Sequence, residues 1–253
     1  MTHNMTCTRK IIHITDLHLS AEADAVVNGW QVEQTWRRIA DDALARHPDA
    51  ALWVLGGDLV DDESAAGYMR LNRQLAALPC PVLALAGNHD DPVAMARYLD
   101  AAHVHQNITL RGWRICALNS HIDGNDAGAL DNMQLQTLRM QLAMDATPTV
   151  ICIHHPPVAI GSVWLDAIGL RHRQALCTII DDNPHVAAVL CGHAHQALTT
   201  TIGQAHCWIT PSTMRQFLPG ARDFALDTRA LPGYRVVTLH DDGSARTALH
   251  RCS

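Results

Sequence analysis

At 253 residues, with 48% hydrophobic content and a formal net charge of −6, the chain is long enough to bury a full core without disulfide or metal staples. The acidic balance and the lack of a basic run argue against nucleic acid as the main partner. No run of about 18 apolar residues marks a membrane span, and residues 1–10 are polar with no apolar signal core, so a cytoplasmic protein is expected.

In chain order, residues 10–15 (KIIHIT) form a β-rich run, the first expected strand, which leads into Asp16-Leu17-His18. Residues 30–45 carry Trp36, Ile39, Ala40 and Leu44 at the spacing of one helix face. Residues 51–55 (ALWVL) are continuously apolar, as in a strand covered on both faces, and run into Gly56-Gly57-Asp58. A second helix is expected over 64–78, ended by Pro79. A strand over 81–86 (PVLALA) then leads to Gly87-Asn88-His89-Asp90. Residues 91–99 predict a helix with Pro92 in its first turn.

The second half repeats the alternation. A strand is expected over 113–118 (WRICAL) and a helix over 131–144, with Met133, Leu135, Leu138 and Leu142 as its apolar positions. The strand 149–153 ends at His154-His155, where Pro156-Pro157 turns the chain out of the sheet. A helix near 171–180 precedes the strand 186–190, which runs into Gly192-His193-Ala194-His195. Late strands are expected at 207–210 and 234–240, followed by a hairpin turn at Asp241-Asp242-Gly243. Strand–helix alternation means an α/β fold. No solenoid repeat or linker divides the chain, so 1–253 is expected to be a single domain, with its core over roughly 10–240. Of eight cysteines, Cys80, Cys116, Cys152, Cys177, Cys191 and Cys207 lie in or beside apolar stretches. Without C-x-x-C pairs they read as buried reduced thiols.

Asp, Asn and His at successive strand ends are the ligand types that hard-to-borderline divalent metals take, and parallel strand ends converge at one sheet edge. In an extended segment Asp16 and His18 leave from the same face, so one metal can take both. Asp58 has two oxygens and can bridge two ions, while the glycines before it allow close backbone approach. Asp61, Asp62 and Glu63 read as a solvated face. Asn88 offers a neutral carbonyl oxygen, His89 can reach a phosphate oxygen, and Asp90 is expected to fix the His89 ring. Adjacent strand residues point to opposite faces, so one of His154 and His155 ligates directly. His155 either supports the ligands or is purely structural, and His13, inside the first strand, reads as packed.

These five motifs, in this order, resemble those of the calcineurin-like metallophosphoesterase superfamily, from Lys10 to about His250. The resemblance implies two packed mixed β-sheets flanked by helices, a four-layer sandwich with the metal site at the C-terminal strand ends. It implies one ion on Asp16, His18, Asp58 and His195 and another on Asp58, Asn88, His154 and His193. Asn88, His89 and His195 would also touch substrate. The stretch 153–157, Trp164-Leu165-Asp166, Pro211-Ser212-Thr213, Gln216-Phe217 and Pro232-Gly233-Tyr234-Arg235 look most like the bacterial class III cyclic-nucleotide phosphodiesterases.

By that resemblance the expected reaction opens 3′,5′-cyclic AMP to 5′-AMP through in-line attack by a metal-bridging hydroxide. His89, with Asp90, is the catalytic pair expected to stabilise or protonate the leaving oxygen. Charge counting agrees: two divalent ions, two aspartates and a hydroxide leave a site near +1, suited to one phosphodiester anion. Iron or manganese is the expected metal, with zinc or cobalt compatible. A broad phosphodiesterase acting on glycerophosphodiesters or other nucleotide diesters would show the same metal residues. A metal-free scaffold binding a protein would have lost them, and here they are complete. A homodimer is an open expectation. The segments 164–173 and 214–231 read as a lid or contact segment and as a loop near the substrate entrance or a packing arm.

Overall fold

Buried strands and amphipathic helices alternate into two six-stranded mixed sheets packed face to face in a computed structural model, which describes residues 8–252. The first half comprises β1 (Arg9–Ile14), β2 (Val26–Val27), β3 (Trp30–Gln31), α1 (Val32–Arg46), β4 (Leu52–Leu55), α2 (Ala65–Leu75), β5 (Val82–Ala84), α3 (Pro92–Tyr98) and β6 (His103–Val104). The second half comprises β7 (Ile108–Leu110), β8 (Trp113–Ala117), α4 (Asn132–Ala143), β9 (Thr149–Cys152), α5 (Val163–Ala167), α6 (Gln174–Asp181) and β10 (Val186–Cys191). It closes with β11 (Leu198–Ile202), β12 (Ala205–Ile209), β13 (Gly233–Leu239) and β14 (Ala245–Arg251).

One sheet has the order β14-β13-β1-β4-β5-β6 and the other β11-β12-β10-β9-β8-β7. In each, the central strands are parallel and antiparallel strands finish an edge: β13 on β1 in one sheet, β7 on β8 and β11 on β12 in the other. The continuous apolar runs follow from this burial on both faces. Along β4, Leu52 and Val54 pack between the sheets while Trp53 and Leu55 pack outward. Along β10, Ala188 and Leu190 pack inward while Val189 and Cys191 face the second helical layer. Three apolar layers result, and the helices α1, α2 and α3 cover one sheet while α4 and α6 cover the other. This is the expected four-layer sandwich.

Local signals set the helix ends. Ser64, Asp91 and Asp131 cap α2, α3 and α4 through side-chain acceptors to backbone N–H groups. Four details correct the sequence reading. Trp30 belongs to the short β2–β3 hairpin rather than to α1. Helix α2 ends at Leu75, ahead of Pro79. Met133 is 75% exposed, so the buried stripe of α4 is Leu135, Leu138 and Leu142. The edge strands β6, β7 and β11 and the short helix α5 were not expected, whereas β14 completes the hairpin signalled by Asp241-Asp242-Gly243. The seven cysteines among the described residues are free thiols. No helix among them is long and apolar enough to cross a membrane.

Candidate metal centre

The C-terminal ends of β1, β4, β5, β9 and β10 open at one edge of the sandwich, and each delivers one of the polar motifs there. Ladder pairing continues past the strands: the N–H groups of Asp16 and His18 donate to the carbonyls of Gly57 and Asp58 at 2.9 Å. The extended geometry expected for Asp16-Leu17-His18 is replaced by a left-handed one, with φ of 56° and 50° at its two polar residues. Asp58, His193 and His195 also lie in the left-handed region, each at a cost of about 1–3 kcal/mol. The buried Leu17 and Ala194 anchor these turns in the core, and the polar residues on either side of each converge.

Ligand atoms of Asp16, His18, Asp58 and His195 lie within 4.8 Å of one another, as do those of His154, His155 and His193. Asp16 Oδ1 stands 3.3 Å from His195 Nε2, and Asp58 Oδ2 stands 3.4 Å from His154 Nε2. His193 Nδ1 is 3.0 Å from Asn88 Oδ1. Burial opposes ionisation of both aspartates, yet His195 beside Asp16 lowers the Asp16 carboxyl, and His154 and His18 hold Asp58 well below the usual carboxylate range. Burial would also lower the His154 pKa, but Asp58 outweighs it and raises it to about 9. Burial together with His155 and His154 pushes His193 well below its ordinary value.

Tautomers test whether a cation fits. His18 Nδ1 faces Asp61 Oδ1 at 2.7 Å, and His195 Nδ1 faces the Arg215 carbonyl at 3.0 Å. Each acceptor requires the proton on Nδ1, so in the neutral rings both Nε2 atoms are bare lone pairs. They lie 3.1 Å apart. His154 Nδ1 donates to the Gly56 carbonyl at 2.7 Å, which aims Nε2 at Asp58, where a divalent cation would take the place of the proton that the carboxylate favours. The Nε2 atoms of His154 and His193 are buried with no hydrogen-bond partner. Acceptors gathered face to face in a buried, doubly anionic site fit divalent cations. Close backbone approach is also built in: a Cβ at Gly87 would fall 2.0 Å from Asp58 Oδ1, and one at Gly57, whose φ is +101°, would fall 2.5 Å from His154 Nδ1.

Two expected roles change. Asp90 does not touch the His89 ring. It is fully buried and accepts from the N–H groups of Leu59, Val60 and Gly87 and from the Tyr68 hydroxyl, so it ties the Asp58 turn to the Gly87 turn. The ring is held instead by Asp61, whose Oδ1 is 3.1 Å from His89 Nδ1 as well as 2.7 Å from His18 Nδ1. Asp61 is therefore no solvated-face residue. Nothing in the run Asp61-Asp62-Glu63 distinguishes it, because its role depends on the turn that follows Asp58.

His155 is structural in its hydrogen bonding. Its Nε2 donates to the Asp126 carbonyl at 3.0 Å and its Nδ1 accepts from the Ser120 hydroxyl at 2.8 Å, so neither nitrogen keeps a lone pair for a metal. His13 is packed as expected, fully buried with Nδ1 2.7 Å from Thr210 Oγ1.

A cavity of about 210 Å3 opens over the polar cluster. Its lining includes His18, Asp58, Asn88, His89, His193 and His195 of the cluster together with Trp164, Arg215, Phe217 and Phe224. Phe217 stacks on the His195 ring at 4.1 Å with 13° between the planes. The segment 214–231 thus reaches the cavity, while the sequence alone singled out none of its side chains as facing it.

Comparisons with known proteins agree with this architecture. Residues 9–197 match the family described as calcineurin-like phosphoesterase. A Pseudomonas aeruginosa protein named 3′,5′-cyclic adenosine monophosphate phosphodiesterase CpdA is 36% identical over 245 residues, covering 95% of this chain and 89% of that protein. A Synechococcus protein named probable cyclic nucleotide phosphodiesterase is 36% identical over 246 residues, covering 96% of this chain and 92% of that one. Among solved structures, a dimetal phosphatase from Danio rerio superposes with a TM-score of 0.66 at 14% identity, covering 94% of this chain and 98% of that one; this likeness concerns the fold. On the match of its strands, motifs and most of its length, the chain belongs to the calcineurin-like phosphoesterase family.

Proposed function

We propose that the chain is a dinuclear-metal phosphodiesterase that opens 3′,5′-cyclic AMP to 5′-AMP. The observation that carries this reading is the gathering of the Nε2 atoms of His18, His195, His154 and His193, the last two with no hydrogen-bond partner, beside two buried carboxylates. Asp16, His18, Asp58 and His195 would hold one ion, and Asp58, Asn88, His154 and His193 the other. Divalent ions there would lower the pKa of a water and neutralise charge on phosphoryl oxygens.

The chain's own residues supply the remainder. The oxygen of a water activated there would attack phosphorus directly, without a covalent enzyme intermediate. A P–O bond to that oxygen forms as the bond from phosphorus to the 3′-oxygen breaks, and the departing oxygen needs a proton. His89 sits at the cavity with its side chain 37% exposed. Its hydrogen bond to Asp61 outweighs burial and raises its pKa to about 9, which suits it to the role of proton donor. Asn88 borders the same space, where its side-chain amide N–H would donate to the phosphodiester, while His195, with Nδ1 on the Arg215 carbonyl, would meet substrate only through the ion it holds. The small cavity and the names of the relatives support a cyclic nucleotide over a polymer.

The test is turnover by manganese-reconstituted protein of 3′,5′-cyclic AMP beside bis(p-nitrophenyl) phosphate and glycerophosphocholine. Preferential conversion of cyclic AMP to 5′-AMP is expected. Strong aryl-diester activity with little on cyclic AMP would move the substrate to another phosphodiester class.

A further inference from the structure

The sequence contains two phenylalanines, and both line the cavity over the metal-ligand cluster. With Trp164 of α5 they form one aromatic group. Ring centroids are 4.9 Å apart for Trp164 and Phe217, 5.3 Å for Trp164 and Phe224, and 5.5 Å for Phe217 and Phe224, all edge to face. Phe217 spends one face on His195 and is 7% exposed, which makes it the wall behind that ring. Phe224 is 57% exposed, and Trp164 is half-buried. A large aromatic left in solvent at the mouth of a polar cavity loses hydrophobic stabilisation that a planar ligand would restore.

The group is also held in place. The Phe217–Leu226 bridge and the Leu218 N–H to Ala225 carbonyl bond, 2.8 Å, close the arm that carries Phe217 and Phe224. Gly220 N–H donates to Ser162 Oγ at 3.1 Å, and Val163 N–H donates to the Ala221 carbonyl at 3.1 Å, which fastens that arm to the start of α5. One cavity thus carries both the metal-ligand cluster and a braced aromatic group beside it.

We propose that Trp164 and Phe224 form the platform on which the nucleobase of the substrate stacks, and so set preference for nucleotides over phosphodiesters without a flat ring. This rests on the phosphodiesterase reading for the anion and adds the determinant of the organic group. Stacking of a base on an aromatic side chain is worth a factor of about 5 to 150 in affinity, and it tolerates any base because every base has a π-face.

The test compares binding of 5′-AMP and ribose 5-phosphate to manganese-loaded protein by calorimetry. The two share a phosphate and a ribose, so their ratio isolates the base. Wild type is expected to favour 5′-AMP by at least about 5-fold. Phe224→Ala, at an exposed position, and Trp164→Leu are each expected to shrink that ratio while ribose 5-phosphate binds as before, and the pair W164F and F224Y should retain it. A wild-type ratio near one, or a ratio unchanged in F224A and W164L, overturns the platform. Cyclic AMP turnover by wild type judges the underlying reading separately. A failed ratio with intact turnover sinks only the platform, and an intact ratio without turnover sinks only the phosphodiesterase.

Discussion

Asp61 reaches two histidines with one oxygen, His18 at 2.7 Å and His89 at 3.1 Å. It holds the Nδ1 proton of His18, which presents Nε2 to the cluster, and it raises the pKa of His89. Separate effects follow for the two neighbours in the cavity. His89→Ala should lower cyclic AMP turnover by about 10²–10⁴-fold, the usual contribution of a positioned proton donor, with metal content by elemental analysis at the wild-type level; metal loss would assign His89 to the ligands instead. Asp61→Asn should lower both turnover and metal affinity, because it disturbs both rings. Gly87→Ala places a methyl where Asp58 Oδ1 sits, 2.0 Å away, and should reduce metal retention on gel filtration more than any change at the exposed Gly112, where a Cβ meets nothing within 4 Å. The ligand types were legible in the sequence because Asp, Asn and His stood directly after apolar runs. The partners of Asp90 and Asp61 were not, because they are backbone N–H groups, the Tyr68 hydroxyl and ring nitrogens brought together only by α2 and the turns after β1, β4 and β5.

Among the elements, the central strands were readable and the edges were not. β4, β9 and β10 are buried on both faces and appear as unbroken apolar runs. β11 (LTTTI) and β14 (ARTALHR) pair on one side only and each buries a single residue fully, so neither carries the apolar run that marked the interior strands. The same edge logic hid β6, two residues long, although its neighbour His105 braces the site. His105 Nε2 accepts the Ala86 N–H at 3.0 Å, just ahead of the Gly87 turn. Burial, aided by His121, lowers the His105 pKa from 6.5 to about 4. The unfolded chain therefore takes up this proton at higher pH than the folded one. Its contribution is fully present above pH 6.5 and is lost as pH falls toward about 4. Denaturant unfolding across that window should show a stability loss that His105→Gln reduces; an identical pH slope in the variant would remove His105 from the account.

At the scale of the whole molecule, two sheets share one apolar layer and present their strand ends to a single edge. Leu190, fully buried in that layer on β10, lies just ahead of His193 and His195. Leu190→Ala should cost about 2–5 kcal/mol of stability and weaken metal retention too, since the layer sets the height of the β10 loop against β1. A stability loss with unchanged metal affinity would separate the two. The most direct measurement titrates manganese into chelator-treated protein while following cyclic AMP turnover at each addition. Two equivalents per chain are predicted, with turnover rising as the second binds and both lost in Asp58→Ala. Full turnover without metal, or complete at one equivalent, would contradict a dinuclear phosphodiesterase built on these strand ends.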